Sequence, residues 1–468
     1  MTISVTKLLR FLFGAAVVLM PFNALPYFKG IFGELSGEGS FYPFLMAILV
    51  WIICMFLNES KIHIPKDLSF YLIVFFGLWA VVSGMVNLPQ IIYSSTKGRT
   101  GLEKILLQYF VFIFTMIVSI CIYNIFRKDD NVLLYLRRLC LISFLIAGLY
   151  SSLEILFLLG NAWSADMLNS INSLFRDTSS DSLLYFGRLR SVSGEASWFG
   201  MYLSFAMPWT LSYLVTEKRK LPYVLLNMYF LILLILTISR TAYVICGIQI
   251  ILFSMFFCKT KFVRNKSVLV YAFLGLIGLI MFFQNTPDTI LNDKNILDIF
   301  LSLLNNDDSP YNLSNIARFG SQTAAINMFL SHPIFGVGLG QYGFHMPEFV
   351  PDWAYKSEEI ILWASGSPDT PWPPVHGLYA RILAEVGFFG LAIWLFLWGR
   401  ILFKLINYSK FLSNIDEIMI KSLFISIIGV LLSGFNSDSF RFFGYWILMG
   451  ISWCCISAYD ALYSRRSL

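Results

Sequence analysis

The run ILLQYFVFIFTMIVSICIYNI at residues 105–125 decides the fold class, because none of its 21 residues is charged. A helix needs about 20 predominantly apolar residues to cross a bilayer. Similar runs recur along the 468-residue chain, which is 57% hydrophobic and only 13% charged. Soluble domains contain about 25% charged residues. The sequence therefore predicts a polytopic membrane protein.

We predict about twelve membrane-spanning segments, all of them helical. A spanning helix satisfies its own backbone hydrogen bonds, and the alternating pattern of a membrane barrel does not occur in this sequence. The run Met20-Pro21-Phe22-Asn23 in the first segment offers no small-residue cleavage site, which indicates an uncleaved span. The predicted spans are approximately 8–28, 41–57, 68–88, 105–125, 139–160, 197–215, 222–238, 241–257, 267–283, 377–399, 418–434 and 443–463.

The orientation follows from the basic residues in the short connections. Of the 34 Lys and Arg residues, 21 fall on the side of both termini, which predicts that this side is cytoplasmic. The connections 161–196 and 284–375 then face outward, on the periplasmic side. This distribution also accounts for the net charge of +6 without a nucleic-acid partner. All seven cysteines lie in or at the ends of apolar runs, so the pattern supports no disulfide framework and no cysteine metal site.

The chain accordingly divides into three parts: spans 1–9 with the outer loop 161–196 (1–283), a periplasmic subdomain (284–375), and spans 10–12 (376–468). A structureless segment of some ninety residues would be improbable, so we expect the second part to fold. It contains a helical pattern that begins near Ser314 and ends at Ser331-His332-Pro333. The predicted apolar face of this helix consists of Ile316, Phe319, Thr323, Ile326 and Phe329.

Two features of the predicted periplasmic subdomain concern its function. Arg318 and Gln322 share a second face of the predicted helix, four residues apart. The glycines at positions 336, 338, 340 and 343 include a formal G-x-G-x-x-G pattern. No strand–turn–helix unit surrounds it, so we interpret it as a turn rather than as a dinucleotide site.

Several arginines are expected at the outer membrane surface. Arg318 belongs to the segment 284–375, which has ten acidic and three basic residues and a net charge of −7. Arg188 and Arg190 precede span 6, Arg240 lies in the short turn between spans 7 and 8, and Arg381 falls in the first turns of span 10. Guanidinium groups match the oxygens of a phosphate or diphosphate. The alternative is that each arginine extends to lipid headgroups.

His376 is the candidate general base. It follows Pro373-Pro374 and is predicted in the first turn of span 10, where the helix dipole favours neutral imidazole. Helical spacing turns it away from Arg381, which is predicted to pair with Glu385 four residues later. The other outer histidines, His332 and His345, are interpreted as structural. No His, Asp or Glu grouping has metal-ligand spacing, so we expect metal-independent chemistry without a cofactor.

Glu195 is a candidate carboxylate in the run SGEASWFG at residues 193–200, at the outer mouth of span 6. It could hold an arginine, orient a base, bind sugar hydroxyls, or be only the acidic cap of a helix. The tryptophans and tyrosine of the outer loop suit stacking on sugar faces, although such residues are expected at any membrane interface. They are Trp353, Tyr355, Trp363 and Trp372.

The motif region resembles a known family. The run from His332-Pro333 through the glycines 336–340, followed by His376 and the segment 381–387, is similar to the signature region of the O-antigen ligase/polymerase superfamily. Ser239-Arg240 and Arg318 match further positions of that family. The residue after the histidine departs from the pattern, because Gly377 replaces the usual polar side chain. The resemblance spans the whole topology, while its specific motifs cover about a quarter of the chain.

The resemblance implies a GT-C-like glycosyltransferase that moves glycans from undecaprenyl diphosphate on the outer face of the bacterial plasma membrane, without a metal. It implies His376 as the base that activates the acceptor, with Glu195 as a second candidate catalytic residue. Arg240, Arg318, Arg190 and Arg381 are candidate ligands of the donor diphosphate, and the pairing of Arg381 with Glu385 makes the first two the better ones.

The sequence leaves three functions open. The run 193–200 looks more like repeat-unit polymerases of the Wzy type, which favours a polymerase of O-antigen, capsule or exopolysaccharide. The first alternative is an O-antigen ligase that loads lipid A core, or a related protein O-oligosaccharyltransferase. A lipid-linked oligosaccharide flippase is the third, but the charges gather at the outer ends rather than at the midplane. Expected partners are the lipid-linked oligosaccharide, membrane lipid and a chain-length regulator protein, with no nucleic acid.

Overall fold

The computed structural model describes residues 3–57, 61–176, 184, 187–257 and 310–466, which are almost entirely helical. One two-stranded antiparallel hairpin pairs Ser95–Thr96 (β1) with Arg99–Thr100 (β2). The α-helices are Ile3–Val18 (α1), Lys29–Phe32 (α2), Phe41–Phe56 (α3), Leu68–Val86 (α4), Leu88–Tyr93 (α5), Gly101–Phe126 (α6), Val132–Leu158 (α7), Ala162–Phe175 (α8), Ala196–Thr216 (α9), Leu221–Leu236 (α10), Arg240–Phe257 (α11), Pro310–Ser331 (α12), Tyr342–Phe349 (α13), Glu358–Ala364 (α14), Leu378–Ser409 (α15), Asn414–Ser433 (α16) and Phe443–Arg466 (α17).

Helices occur at eleven of the twelve predicted spans. The remaining predicted span, span 9 at 267–283, and the first part of the predicted periplasmic subdomain lie outside the described residues. Five helices, α4, α6, α7, α11 and α15, are long and apolar enough to cross a membrane, and a sixth span results if the bent pair Gly30–Gly37 and Phe41–Phe56 is counted as one. The all-α membrane class agrees with these findings. The number of twelve spans and the outward position of the loop stay predictions.

Aromatic packing fixes the connection between α16 and α17. The ring of Phe440, in this connection, lies 5.5 Å from Trp394 of α15 and 5.8 Å from Phe112 of α6, measured between centroids. The indole of Trp446 donates to the Phe440 carbonyl oxygen at 2.7 Å. Buried aromatic rings in edge contact contribute stability beyond the area they bury. The residues just before Phe440 are therefore held in place.

The glycine-rich segment is a turn, as the sequence predicts, and it lies against a break in α15. Gly387 has a φ of 79°, and the helix is kinked there. The amides of Val337 and Gly338 donate to the carbonyls of residues 384 and 385, each at 2.9 Å. A Cβ on Gly387 would lie 2.1 Å from the Ile334 carbonyl oxygen. Glycine is required because the two backbones come this close.

The hairpin holds the loop that leads to His376. Lys97, between β1 and β2, is buried, and its ammonium donates to the carbonyl oxygens of Leu362 and Pro371 at 2.9 and 3.1 Å. It also donates to the hydroxyl of Thr370 at 2.5 Å. A lysine ammonium has three N–H donors, and by bonding to several acceptors of one loop it can fix the conformation of that loop. The position of residues 362–371 is thereby tied to the start of α6.

The apolar residues that the sequence assigns to one face of α12 do not form its buried side. Phe319 and Ile326 are 56% and 44% exposed, whereas small residues form the buried side. A Cβ on Gly320 would lie 2.5 Å from the Ala354 side chain, which shows how closely the helix approaches its neighbours. Close packing of helices selects small side chains, so the largest apolar residues do not mark the buried face here. The fully buried residues of the helix are Ala317, Ser321, Ala324, Ala325 and Met328.

Candidate functional site

His376 lies just before α15 rather than in its first turn. Gly377 is the N-cap residue, so the prediction that placed the histidine inside the helix is wrong. Its φ of 58° is left-handed, which is uncommon for a residue other than glycine. The segment is held on both sides: Val375 donates its amide to Asp438 Oδ2 at 2.6 Å, and Gln322 Nε2 donates to the His376 carbonyl oxygen at 2.8 Å. These bonds stabilise the strained conformation.

The imidazole of His376 is enclosed. Its ring lies 5.3 Å from that of Trp363, and Nε2 is buried without a hydrogen-bond partner among the described protein atoms. Burial lowers the pKa of His376 to about 4, assisted by Arg318 and opposed by Asp438 and Glu195. This pKa agrees with the predicted neutral imidazole near neutral pH, but its first cause is burial rather than the helix dipole.

Arg318 of α12 lies in the same charged cluster. It donates from Nη1 to Asn436 Oδ1 at 2.8 Å, so this partner is a neutral amide rather than a carboxylate. Burial lowers the pKa of its guanidinium, and Arg188 adds to this effect by repulsion. Glu195 and Glu359 oppose both effects. The arginine is thus positioned by an amide while its charge is only partly balanced by nearby carboxylates.

Arg240 reaches the same helix. The sequence places Arg240 in the short turn between spans 7 and 8, whereas in the structure it is the first residue of α11. Its Nη2 donates to Asn315 Oδ1 at 2.7 Å. Asn315 precedes Arg318 by three residues, so both side chains lie near one face of α12. Arg318 belongs to α12, and Arg240 is hydrogen-bonded to Asn315 of the same helix. Their two guanidinium groups could together bind the oxygens of a diphosphate.

Glu195 is the N-cap residue of α9, but its side chain makes no capping hydrogen bond. It is exposed and accepts a hydrogen bond from the Ser197 hydroxyl at 3.0 Å. Its charge influences the pKa values of His376 and Arg318, and its repulsion adds to burial in raising the pKa of Glu359. Of the roles open from the sequence, those that involve an arginine or the base fit this position better than a cap.

Arg190 and Arg381 are held in local networks. Arg190 is buried; its amide donates to Glu154 Oε1 at 3.2 Å and its Nη1 to the Gly194 carbonyl oxygen at 3.3 Å. It therefore supports the loop before α9. A role for Arg190 in diphosphate binding stays a proposal.

The predicted Arg381–Glu385 pair is confirmed, with Nε 3.0 Å from Oε2. Arg381 also donates to Gln108 Oε1 at 2.9 Å and to the Asp438 carbonyl oxygen at 2.7 Å. All three nitrogens of this buried guanidinium are therefore engaged. This arrangement favours a positioning role for Arg381 over direct contact with a diphosphate.

The role of the connection between α16 and α17 in the candidate site was not predicted from the sequence. Its polar run Asn436-Ser437-Asp438-Ser439 supplies the partner of Arg318 and the anchor beside His376. The sequence feature that could have pointed to this connection is its polarity, in a short outer turn between two apolar spans. Nothing in its spacing pointed to a histidine 62 residues earlier.

The remaining histidines of the loop have apolar or local surroundings. The ring of His332 lies 6.4 Å from that of Phe349, and burial lowers the pKa of His345. Both observations agree with the structural interpretation. Among the described residues, no three His, Cys, Asp or Glu side chains come together in a way that could hold a metal ion. The metal independence of the chemistry stays a prediction.

Residues 225–395 match the family model described as O-antigen ligase. This range includes Arg240, Arg318 and His376, the three residues on which the predicted site depends most. No curated protein is similar enough to the chain to count as a match. The matched range is 171 of the 468 residues, and over this range the chain is similar to proteins of the O-antigen ligase family.

Proposed function

We propose that this chain, a member of the O-antigen ligase/polymerase superfamily, is a surface-polysaccharide polymerase. It would transfer a growing glycan from undecaprenyl diphosphate onto the next lipid-linked repeat unit at the outer face of the plasma membrane. The observation that carries this proposal is the His376 site. A neutral, buried imidazole lies among Trp363, Asp438 and Arg318, within the range that matches the family.

His376 would act as the general base. Nε2 takes the proton of the acceptor hydroxyl while the hydroxyl oxygen attacks the anomeric carbon of the donor glycan. The bond from this carbon to the diphosphate oxygen breaks, and its electron pair leaves with undecaprenyl diphosphate. The configuration at the carbon is inverted. A positioned base typically contributes roughly 10²–10⁴-fold to the rate, and the imidazolium afterwards releases its proton to water.

Arg240 and Arg318 would hold the donor diphosphate. Their guanidinium groups offset the negative charge that develops as the carrier leaves, without metal participation. Because Arg318 lowers the pKa of His376, a diphosphate bound at Arg318 would reverse that effect. The imidazole would thus become a stronger base when the donor is present, and it would stay neutral when the site is empty.

Carboxylates would complete the site. Asp438 holds the backbone just before His376, and its charge favours the imidazolium that forms during transfer. Glu195 is exposed beside the same groups and could accept hydrogen bonds from sugar hydroxyls. The network of Arg381 would hold the α16–α17 connection in place.

Elongation by the purified protein tests the proposal. The chain in phospholipid vesicles is given lipid-linked repeat units, and the glycan length is followed on gels. His376→Ala should abolish elongation while the protein still inserts and runs at its normal size. His345→Ala, which removes a half-buried histidine of the same loop, is the matched control. Full-length polymer made by the His376 variant would contradict the proposal.

An O-antigen ligase is the second candidate function, because the matching family model is described by that activity. The two activities would use the same site with different acceptors. A gene deletion distinguishes them by the product that accumulates. A single repeat on the lipid core indicates a lost polymerase, whereas polymer that stays on its carrier indicates a lost ligase. In the polymerase case, a chain-length regulator would be a further partner.

A further inference from the structure

An exposed apolar stripe runs along α12. Phe319, Ile326 and Leu330 are 56%, 44% and 68% exposed, and Thr323 lies between them at helical spacing. These positions recur every three or four residues and therefore lie on one side of the helix. Large contiguous apolar surfaces are uncommon on proteins surrounded by water. The stripe extends over twelve residues, from Phe319 to Leu330, or about 16 Å at 1.5 Å per residue.

The N-terminal half of α12 lies at the ends of predicted spans. Asn315 accepts a hydrogen bond from Arg240, which begins α11, at 2.7 Å. Arg318 donates at 2.8 Å to Asn436, three residues beyond the end of α16. This part of the helix is thus tied to the ends that the sequence predicts to face outward.

The residues just after α12 contact two helices that could span a membrane. The Phe388 amide, one residue after the α15 kink, donates to the Pro333 carbonyl oxygen at 2.9 Å. The Phe335 ring is stacked on Trp79 of α4, with centroids 5.2 Å apart. Both α4 and α15 are long and apolar enough to cross a membrane. Because Trp79 and Phe388 lie within these helices and not at their ends, the C-terminal end of α12 is expected beside the spans rather than in the solvent beyond them.

The stripe continues into a surface of the α15 span. Ile334 is 50% exposed, and Phe388 and Phe389 are 56% and 48% exposed. Leu395 and Phe396 extend this exposed apolar surface further along α15. Exposed apolar residues of a spanning helix face lipid. The adjoining exposed apolar residues of α12 are therefore expected to face lipid as well.

The charge of α12 fits the same environment. The segment 310–331 contains a single charged residue, Arg318, within a loop region whose net charge is −7. The guanidinium lies at the buried side with Asn436, away from the stripe. An interfacial helix lies with its apolar face in the boundary between headgroups and acyl chains, and here no charged residue interrupts that face.

We propose that α12 is an interfacial helix whose Phe319–Ile326–Leu330 stripe lies in the acyl chains of the adjoining phospholipid leaflet. The helix that supplies Arg318 to the candidate site is then anchored by the bilayer itself. This inference concerns the contact of the loop with lipid and does not depend on which glycan is transferred.

Spin labels on the stripe test the proposal. Phe319→Cys, Ile326→Cys and Leu330→Cys are labelled singly with a nitroxide in phospholipid vesicles. Collision rates are measured with oxygen, which concentrates among acyl chains, and with a water-soluble nickel chelate. Lys356→Cys, at an exposed position of the same loop, is the matched control. The parent chain, whose described cysteines are all buried, gives the background labelling.

The three stripe labels should show an oxygen-to-nickel ratio several-fold above that of the Lys356 label. A ratio equal to the control would mean that the stripe faces water, and it would overturn the proposal. Labels shielded from both reagents would overturn it as well, because they would mean that protein covers the stripe. Three independent positions keep the test decisive if one variant fails to fold. The test measures no glycan product, so its failure is distinct from a failure of the proposed function.

Discussion

The carboxylate of Asp438 accepts a hydrogen bond from the Val375 amide, with Oδ2 2.6 Å from the nitrogen. This contact joins the connection between α16 and α17 to the residue before His376. Since His376 has a left-handed backbone with a φ of 58°, its position depends on such anchors. Loss of the hydrogen bond between Asp438 and Val375 should therefore affect the position of His376.

Asp438→Ala should reduce kcat/KM strongly, because it removes the anchor of Val375 and the charge that favours the imidazolium. Hydrogen bonds of charged groups contribute about 1.5–3 kcal/mol, which corresponds to roughly ten- to hundredfold in rate. Ser437→Ala, in the same connection, is the control and should leave the rate nearly unchanged. Unchanged elongation rates for the Asp438 variant would exclude this role.

The pH dependence of kcat/KM should reflect the buried imidazole. His376 has a pKa of about 4, below its ordinary value of 6.5, so the neutral base persists as the pH falls and is lost only near pH 4. Glu195→Gln should move this acid limb lower, because the Glu195 charge raises the pKa. Initial elongation rates measured across pH locate the acid limb in the parent protein and in the Glu195 variant. A limb near pH 6.5 in the parent protein would show that the imidazole is not buried in the working enzyme.

Arg318→Ala and Arg240→Ala should both weaken use of the donor, and their pH profiles should differ. Loss of a charge-assisted contact of about 2 kcal/mol lowers kcat/KM roughly thirtyfold. Arg318 lowers the pKa of His376, so its removal should also shift the acid limb upward. Titration with donor at several pH values measures both effects. Equal donor dependence in the variants and the parent would leave these arginines as headgroup contacts.

Gly387→Ala should destabilise the protein by several kcal/mol, since a Cβ would lie 2.1 Å from the Ile334 carbonyl oxygen at a φ of 79°. Gly399→Ala in the same helix is the control, because no atom lies within 4 Å of its added Cβ. Thermal unfolding of the detergent-solubilised protein, followed by size-exclusion chromatography, compares them. Similar Tm values for the two variants would mean that the kink can straighten.

The predicted orientation is tested by reporter fusions. A reporter that is active only outside the cytoplasm should be active when fused near residue 345 and silent near residue 262. The physical reason is the excess of Lys and Arg on the side of the termini. The opposite pattern would place the His376 site in the cytoplasm and would exclude a reaction on the outer face.

The fold class follows directly from the sequence because spanning helices have an unmistakable length and composition. The Arg381–Glu385 pair was also predictable, since residues four apart share a helix face. Asp438 was not, because its closeness to His376 results from the packing of α15 against α16 and α17. Helical periodicity alone gives no information on which distant turns meet.

The face of α12 shows a second limit. Its periodicity correctly predicted a helix that ends at Ser331, but the apolar residues Phe319 and Ile326 are exposed. The pattern identifies an apolar face, but it does not tell whether that face contacts protein or the surroundings of the protein. Small residues form the packed side instead, as at Gly320, where an added Cβ would lie 2.5 Å from the Ala354 side chain.

The break at Gly387 has a mechanical consequence. The amides of Val337 and Gly338 bond to α15 just before the break, and the carbonyl of Pro333 bonds to it just after. A swing of the loop would therefore strain the hydrogen bonds on both sides of the bend at once. Loop and helix are therefore coupled, so a shift of residues 333–338 would change the bend of α15 at Gly387 and with it the tilt of the helix.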